Sequence, residues 1–114
     1  MTKLFCIHGN FQAPSVWKPL AENLKTRNVN LDVIPINLEN YSIDGFNRWV
    51  DDFCNSVQTL AGQEKSFLLG YSLGGRLALH ASLHNSNLWQ GIIIVGADPG
   101  LSLIHISEPT RQLC

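Results

Sequence analysis

Gly70-Tyr71-Ser72-Leu73-Gly74-Gly75-Arg76 is the stretch on which the reading of this sequence turns. The residues before it, Ser66-Phe67-Leu68-Leu69, make a short apolar run of strand length, and those after it, from Leu73 to about His84, suit a helix. A G-x-S-x-G pattern placed between a strand and a helix is a sharp turn. It forces its serine into a backbone conformation that L residues avoid and leaves no room for a side chain at Gly70 or Gly74. Ser72 is then expected at the carboxyl edge of a sheet. The first N–H groups of the following helix, Leu73 foremost, would face the place where negative charge develops on a substrate oxygen. The plainer alternative is a Gly- and Ser-rich turn that only joins a strand to a helix.

Working outward, three further apolar runs read as strands: residues 4–8, 31–36 and 91–96, each bounded by Gly, Asn, Pro or Ser. Their nearly unbroken apolar character suits a parallel sheet covered on both faces. Between them, residues 44–61 carry Phe46, Trp49, Val50, Phe53, Cys54, Val57, Leu60 and Ala61 at helical spacing, and Gly62 closes that helix as a left-handed cap. An earlier helix starts near Pro19, turns Leu20 and Leu24 inward and ends at Asn28. The order is β-α-β-α-β-α-β, which predicts an α/β fold. It has a parallel sheet of about four strands with flanking helices and takes its ligand at the carboxyl ends of the strands.

At 114 residues there is room for one domain only. Hydrophobic residues make up 45% and charged residues 15%, so the chain is rich in surface to bury and disorder is not expected. The net charge of -1, without a basic block, argues against nucleic acid as a partner. No apolar run approaches the roughly 20 residues that span a bilayer, and residues 1–8 lack a signal-peptide core, so no membrane and a cytoplasmic location are expected. Cys6, Cys54 and Cys114 are far apart and form no CxxC pair, which reads as reduced thiols without a metal site. The absence of G-x-x-x-x-G-K-[ST] and of G-x-G-x-x-G after any strand gives no reason to expect a phosphate-bearing cofactor, and none is expected.

His8-Gly9-Asn10-Phe11 ends the first strand, and together with the stretch from Gly70 to Arg76 it resembles the α/β-hydrolase superfamily. A narrower likeness adds Ser42-Ile43-Asp44-Gly45-Phe46 and Asp98-Pro99-Gly100-Leu101, over residues 1–101. It is to the synthases of 2-succinyl-6-hydroxy-2,4-cyclohexadiene-1-carboxylate in menaquinone biosynthesis. The resemblance implies a Ser-His-Asp triad used for elimination of pyruvate from 2-succinyl-5-enolpyruvyl-6-hydroxy-3-cyclohexene-1-carboxylate, a small anionic organic substrate. It implies Ser72 as catalytic residue, the Asn10 and Leu73 N–H groups as oxyanion donors, and Tyr71 and Arg76 as substrate-binding residues. Arg76 lies one helical turn beyond Ser72, so its guanidinium could grip a carboxylate in a two-pronged contact; a salt bridge on the helix surface is the competing reading. A serine esterase or acyl hydrolase shares the same elbow, and a non-catalytic binding module on the same scaffold is a further alternative.

Two departures accompany the likeness. The resembled family draws its acid and its histidine from beyond later strands, whereas here His80 and His84 fall on the helix behind the elbow and His8 on a turn, where structural roles are expected. Asp98 is explained by an Asp-Pro-Gly turn. Residues 102–114 break with the pattern before them and resemble translated adapter sequence. Residues 1–101 are therefore read as the partial domain and 102–114 as a foreign tail. The competing reading is a loop and short strand packing Leu103, Ile104 and Ile106, and His105 and Cys114 are given no catalytic role. On this reading the 114-residue chain by itself is inactive.

Overall fold

The computed structural model describes residues 1–40 and 45–96. Strand β1 (Thr2–Ile7) leads through a 3-10 turn (Pro14–Trp17) into helix α1 (Lys18–Thr26), then β2 (Leu31–Ile36). After a second 3-10 turn (Leu38–Asn40) come helix α2 (Phe46–Ala61), β3 (Ser66–Tyr71), helix α3 (Leu73–His84), a third 3-10 turn (Ser86–Leu88) and β4 (Trp89–Val95). The strands form one parallel sheet in the order β2-β1-β3-β4. The chain thus winds outward from β1 to β2, then crosses back to β3 and β4, and the reversal puts a crevice at the carboxyl ends of β1 and β3. That is where His8 and Ser72 leave the sheet.

Alternation along the strands divides the core in two. Phe5, Ile7 and Leu68 are buried on one side, under α2 and α3, where Trp49, Val50, Phe53, Val57, Leu77 and Ala78 meet them. An aromatic cluster centres this layer: Phe53 stacks on Trp49 at 5.1 Å and on Trp89 at 6.0 Å, while the Phe5 ring stands edge-on to both Phe53 and Trp89. Leu4, Cys6 and Leu69 face the other way, toward α1, with Trp17, Leu20 and Leu24 above them. This second layer is thinner, and it leaves Ile93 and Val95 of β4 exposed.

The predicted strands and helices are all present, with shifted ends. β4 opens at Trp89, two residues before its apolar run, because Trp89 pairs with Ser66 across a register shift and joins the aromatic cluster. The helix before β3 begins at Phe46 with Gly45 as its N-cap at φ 120°; Ser42, Ile43 and Asp44 lie outside the described residues. Gly62 does end α2 with a positive φ of 63°, and its N–H reaches Gln58 O, but its ψ of -127° differs from that of a left-handed helical residue.

Candidate active site

Ser72 occupies the turn between β3 and α3 at φ 57° and ψ -119°, a combination that a residue with a Cβ adopts only when its surroundings impose it. The surroundings are visible. A Cβ on Gly70 would overlap the Gly74 carbonyl, and one on Gly74 would overlap the Ile7 carbonyl and lie 2.6 Å from that of His8. The turn is therefore pressed against the end of β1 with nothing between the backbones. The Ser72 N–H donates to Val95 O at 2.9 Å, tying the turn to the end of β4. The Ser72 carbonyl accepts from the Gly75 and Arg76 N–H groups, opening the helix.

The bland reading of a serine at a helix N-cap is that its hydroxyl caps a backbone N–H. Here the Ser72 side chain makes no cap bond. The hydroxyl is left at the positive end of a 12-residue helix, and the Leu73 N–H beside it has no acceptor among the described residues. That pairing offers an oxygen nucleophile or base next to a donor for developing negative charge.

Gly9 faces the same turn from β1. A Cβ built on Gly9 would lie 2.9 Å from Ser72 Cβ and 3.1 Å from Tyr71 O, so the β1-exit loop touches the elbow at closest approach. Asn10 follows as an exposed residue, and Phe11 after it is fully exposed at φ 59°. Tyr71 is 41% exposed and borders a cavity of about 330 Å³ with Gln12, Val16, Trp17, Leu20, Leu69 and Val95. The lining residues are apolar apart from Gln12, the Tyr71 hydroxyl and the Trp17 indole N–H, the last buried without a partner among the described residues. Arg76 is exposed on α3 and has no ion pair among the described residues.

The contacts of His8 and His84 lie away from the Ser72 hydroxyl. His8 is buried, its Nδ1 lies 2.9 Å from Gly9 O, and its Nε2 is buried without a partner among the described residues. His84 Nε2 meets Asp51 Oδ1 at 2.7 Å on the outer surface of α2 and α3. No histidine among the described residues is hydrogen-bonded to the Ser72 hydroxyl. Asp98, His105 and Cys114 lie outside the described residues. No group of three or more His, Cys, Asp or Glu residues able to hold a metal occurs among those described. Burial pushes the Cys6 thiol up to about 12 and, with the Asp51 charge adding to burial, the Cys54 thiol up to about 11. Gln12, which sequence reading did not single out, is a further polar group here; its place depends on how the loop folds back, which no motif announces.

Comparison with known proteins places this geometry. Residues 4–113 match the alpha/beta hydrolase fold family. A protein of Haemophilus influenzae provisionally named 2-succinyl-6-hydroxy-2,4-cyclohexadiene-1-carboxylate synthase is 36% identical over 112 residues, covering 89% of this chain and 43% of the relative. The synthase of that name from Pectobacterium atrosepticum is 30% identical, covering 87% and 40%. The sn-1-specific diacylglycerol lipase ABHD11 of Danio rerio is 28% identical, covering 91% and 34%. An extracellular alpha/beta-hydrolase of a Paenibacillus species superposes with a TM-score of 0.70 at 18% identity, over 89% of this chain and 43% of its own. This chain spans less than half the length of each. Its sheet order, its strained serine turn and the match across residues 4–113 agree, and the chain belongs to the α/β-hydrolase fold family.

Proposed function

We propose that this chain is part of an enzyme that uses Ser72 as its catalytic hydroxyl to eliminate pyruvate from 2-succinyl-5-enolpyruvyl-6-hydroxy-3-cyclohexene-1-carboxylate. The observation that carries the proposal is a serine held at φ 57° whose hydroxyl caps nothing, at the end of a helix whose first N–H is unclaimed among the described residues. A strained, non-capping serine has no structural reason to be serine, which also weighs against a purely binding scaffold. In the elimination, Ser72, activated by a histidine from outside the described residues, removes a proton from the ring. The electrons of that C–H bond form a double bond toward the existing one, which shifts to the ether-bearing carbon as its C–O bond breaks; pyruvate leaves as its enolate and takes back the abstracted proton from the histidine. The Leu73 and Asn10 N–H groups hold the oxyanion that develops, and Arg76, without an ion pair among the described residues, grips a substrate carboxylate with Tyr71 beside it. The identity to two synthases of this name supports the choice of reaction.

A second reading, serine-dependent acyl hydrolysis, is favoured by the apolar cavity beside Tyr71 and by the similarity to a lipase. Ser72→Ala in the complete protein tests both. Loss of a triad serine costs on the order of a million-fold in turnover in a hydrolase of known mechanism, and a loss of at least a thousand-fold is expected here. Retention of more than a tenth of both pyruvate release and ester hydrolysis would reject the catalytic assignment. Pyruvate release without ester turnover in the wild type selects the lyase, and the reverse selects the hydrolase.

A further inference from the structure

The β1-exit loop is held by a side chain to which the proposed chemistry gives no part. Gln12 folds back so that its Oε1 accepts the Gly9 N–H at 2.8 Å, while His8 Nδ1 lies 2.9 Å from the Gly9 carbonyl. Gly9 is thus fixed through both of its backbone groups at the point where it abuts Ser72 Cβ and Tyr71 O. The chain between Gly9 and Gln12 passes through Phe11 at φ 59°, fully exposed, so this conformation is not maintained by packing of the Phe11 ring. The Gly9 N–H can only donate, so the carboxamide oxygen must face it. The Gln12 amide NH2 is consequently turned outward, at the wall of the cavity that Gln12 shares with Tyr71 and Val95.

We infer that Gln12 is a positioning residue: by taking the Gly9 N–H it locks the loop against Ser72 and leaves the Asn10 N–H as the loop's donor to the oxyanion. The inference rests on the serine chemistry proposed above. Because the oxyanion develops only in the transition state, loosening the loop lowers turnover and leaves substrate binding nearly as it was. Gln12→Met keeps the length of the side chain and removes the acceptor, whereas Gln12→Glu keeps an acceptor for Gly9.

The test uses the complete protein and whichever reaction the wild type performs, pyruvate release or ester hydrolysis, since each needs Ser72 and the oxyanion donors. Removal of a whole oxyanion donor costs about a hundred- to a thousand-fold, so displacement of one by Gln12→Met should lower kcat about ten- to a hundred-fold with KM within about threefold. The Gly9 amide should exchange its hydrogen at least about tenfold faster, with an unchanged melting temperature, and Gln12→Glu should restore its protection. A Gln12→Met protein with wild-type kcat, or with unchanged Gly9 exchange, would overturn the inference. Should Ser72→Ala leave that turnover intact, the serine reading fails by itself. Gly9 exchange then decides alone: faster in Gln12→Met supports the hold of Gln12 on the loop, unchanged refutes it.

Discussion

Around Ser72, neither Gly70 nor Gly74 has room for a side chain. The overlap that a Gly74 side chain would make is with backbone at the end of β1, which cannot rotate away. Gly74→Ala should therefore cost about 3 kcal/mol or more, the range of severe overpacking, as read from urea denaturation. A neutral outcome would mean that the elbow sits further from β1 than described. Arg76→Lys tests the opposite case, a residue expected to serve the substrate and not the fold. It keeps the charge but loses the planar fork, so KM for the anionic substrate should rise while the melting temperature stays put. The buried thiols give a pH prediction. Cys6 and Cys54 hold their protons in the fold to about 12 and about 11 against an ordinary 9.0, so the unfolded chain releases protons first as pH rises. Stability is then fully present below about pH 9 and falls between there and pH 11 to 12, by up to about 1.4 kcal/mol per pH unit for each thiol. Urea midpoints at pH 8 and pH 10.5 would reveal the drop, and the variant Cys6→Ala should flatten it. The elbow was legible in five residues because its glycines are demanded by local sterics. Gln12 was not, because its bond to Gly9 exists only after the loop has turned.

At the scale of elements the two outer strands of the described sheet differ. β2 carries Pro35, which cannot donate to a neighbour, and an exposed Asp32 paired with Lys3 at 3.8 Å. β4 has Ile92, Ile93, Ile94 and Val95 in succession, with Ile93 and Val95 each 44% exposed. An exposed apolar edge of that kind recruits other strands. The 114-residue chain is accordingly expected to self-associate, and Ile93→Lys to shift its sedimentation toward the monomer. Equal sedimentation of both would place the contact elsewhere. Strand and helix identities were legible from apolar runs and 3.6-residue spacing. The start of β4 was not, since Trp89 is drawn into the strand by rings from β1 and α2, contacts distant in sequence.

Across the whole molecule, stability is concentrated on one side of the sheet. Phe53 is fully buried at the centre of the aromatic cluster, so Phe53→Ala should cost about 3–5 kcal/mol. Truncation of Leu24 on the thinner α1 side should cost less, by comparison of their denaturation midpoints. Without a histidine bonded to Ser72 among the described residues, the 114-residue chain should show no Ser72-dependent ester turnover, and a measurable rate would call for a base within it. The bond from the Ser72 N–H to Val95 O carries one more consequence, for the order in which a newly made chain matures. The residues that shape the elbow are synthesised before Val95, whose carbonyl anchors it. On the ribosome, Ser72 must therefore wait outside the exit tunnel, its amide still hydrated, until β4 emerges and docks beside β3. The geometry of the turn is thus completed only by a residue made after it.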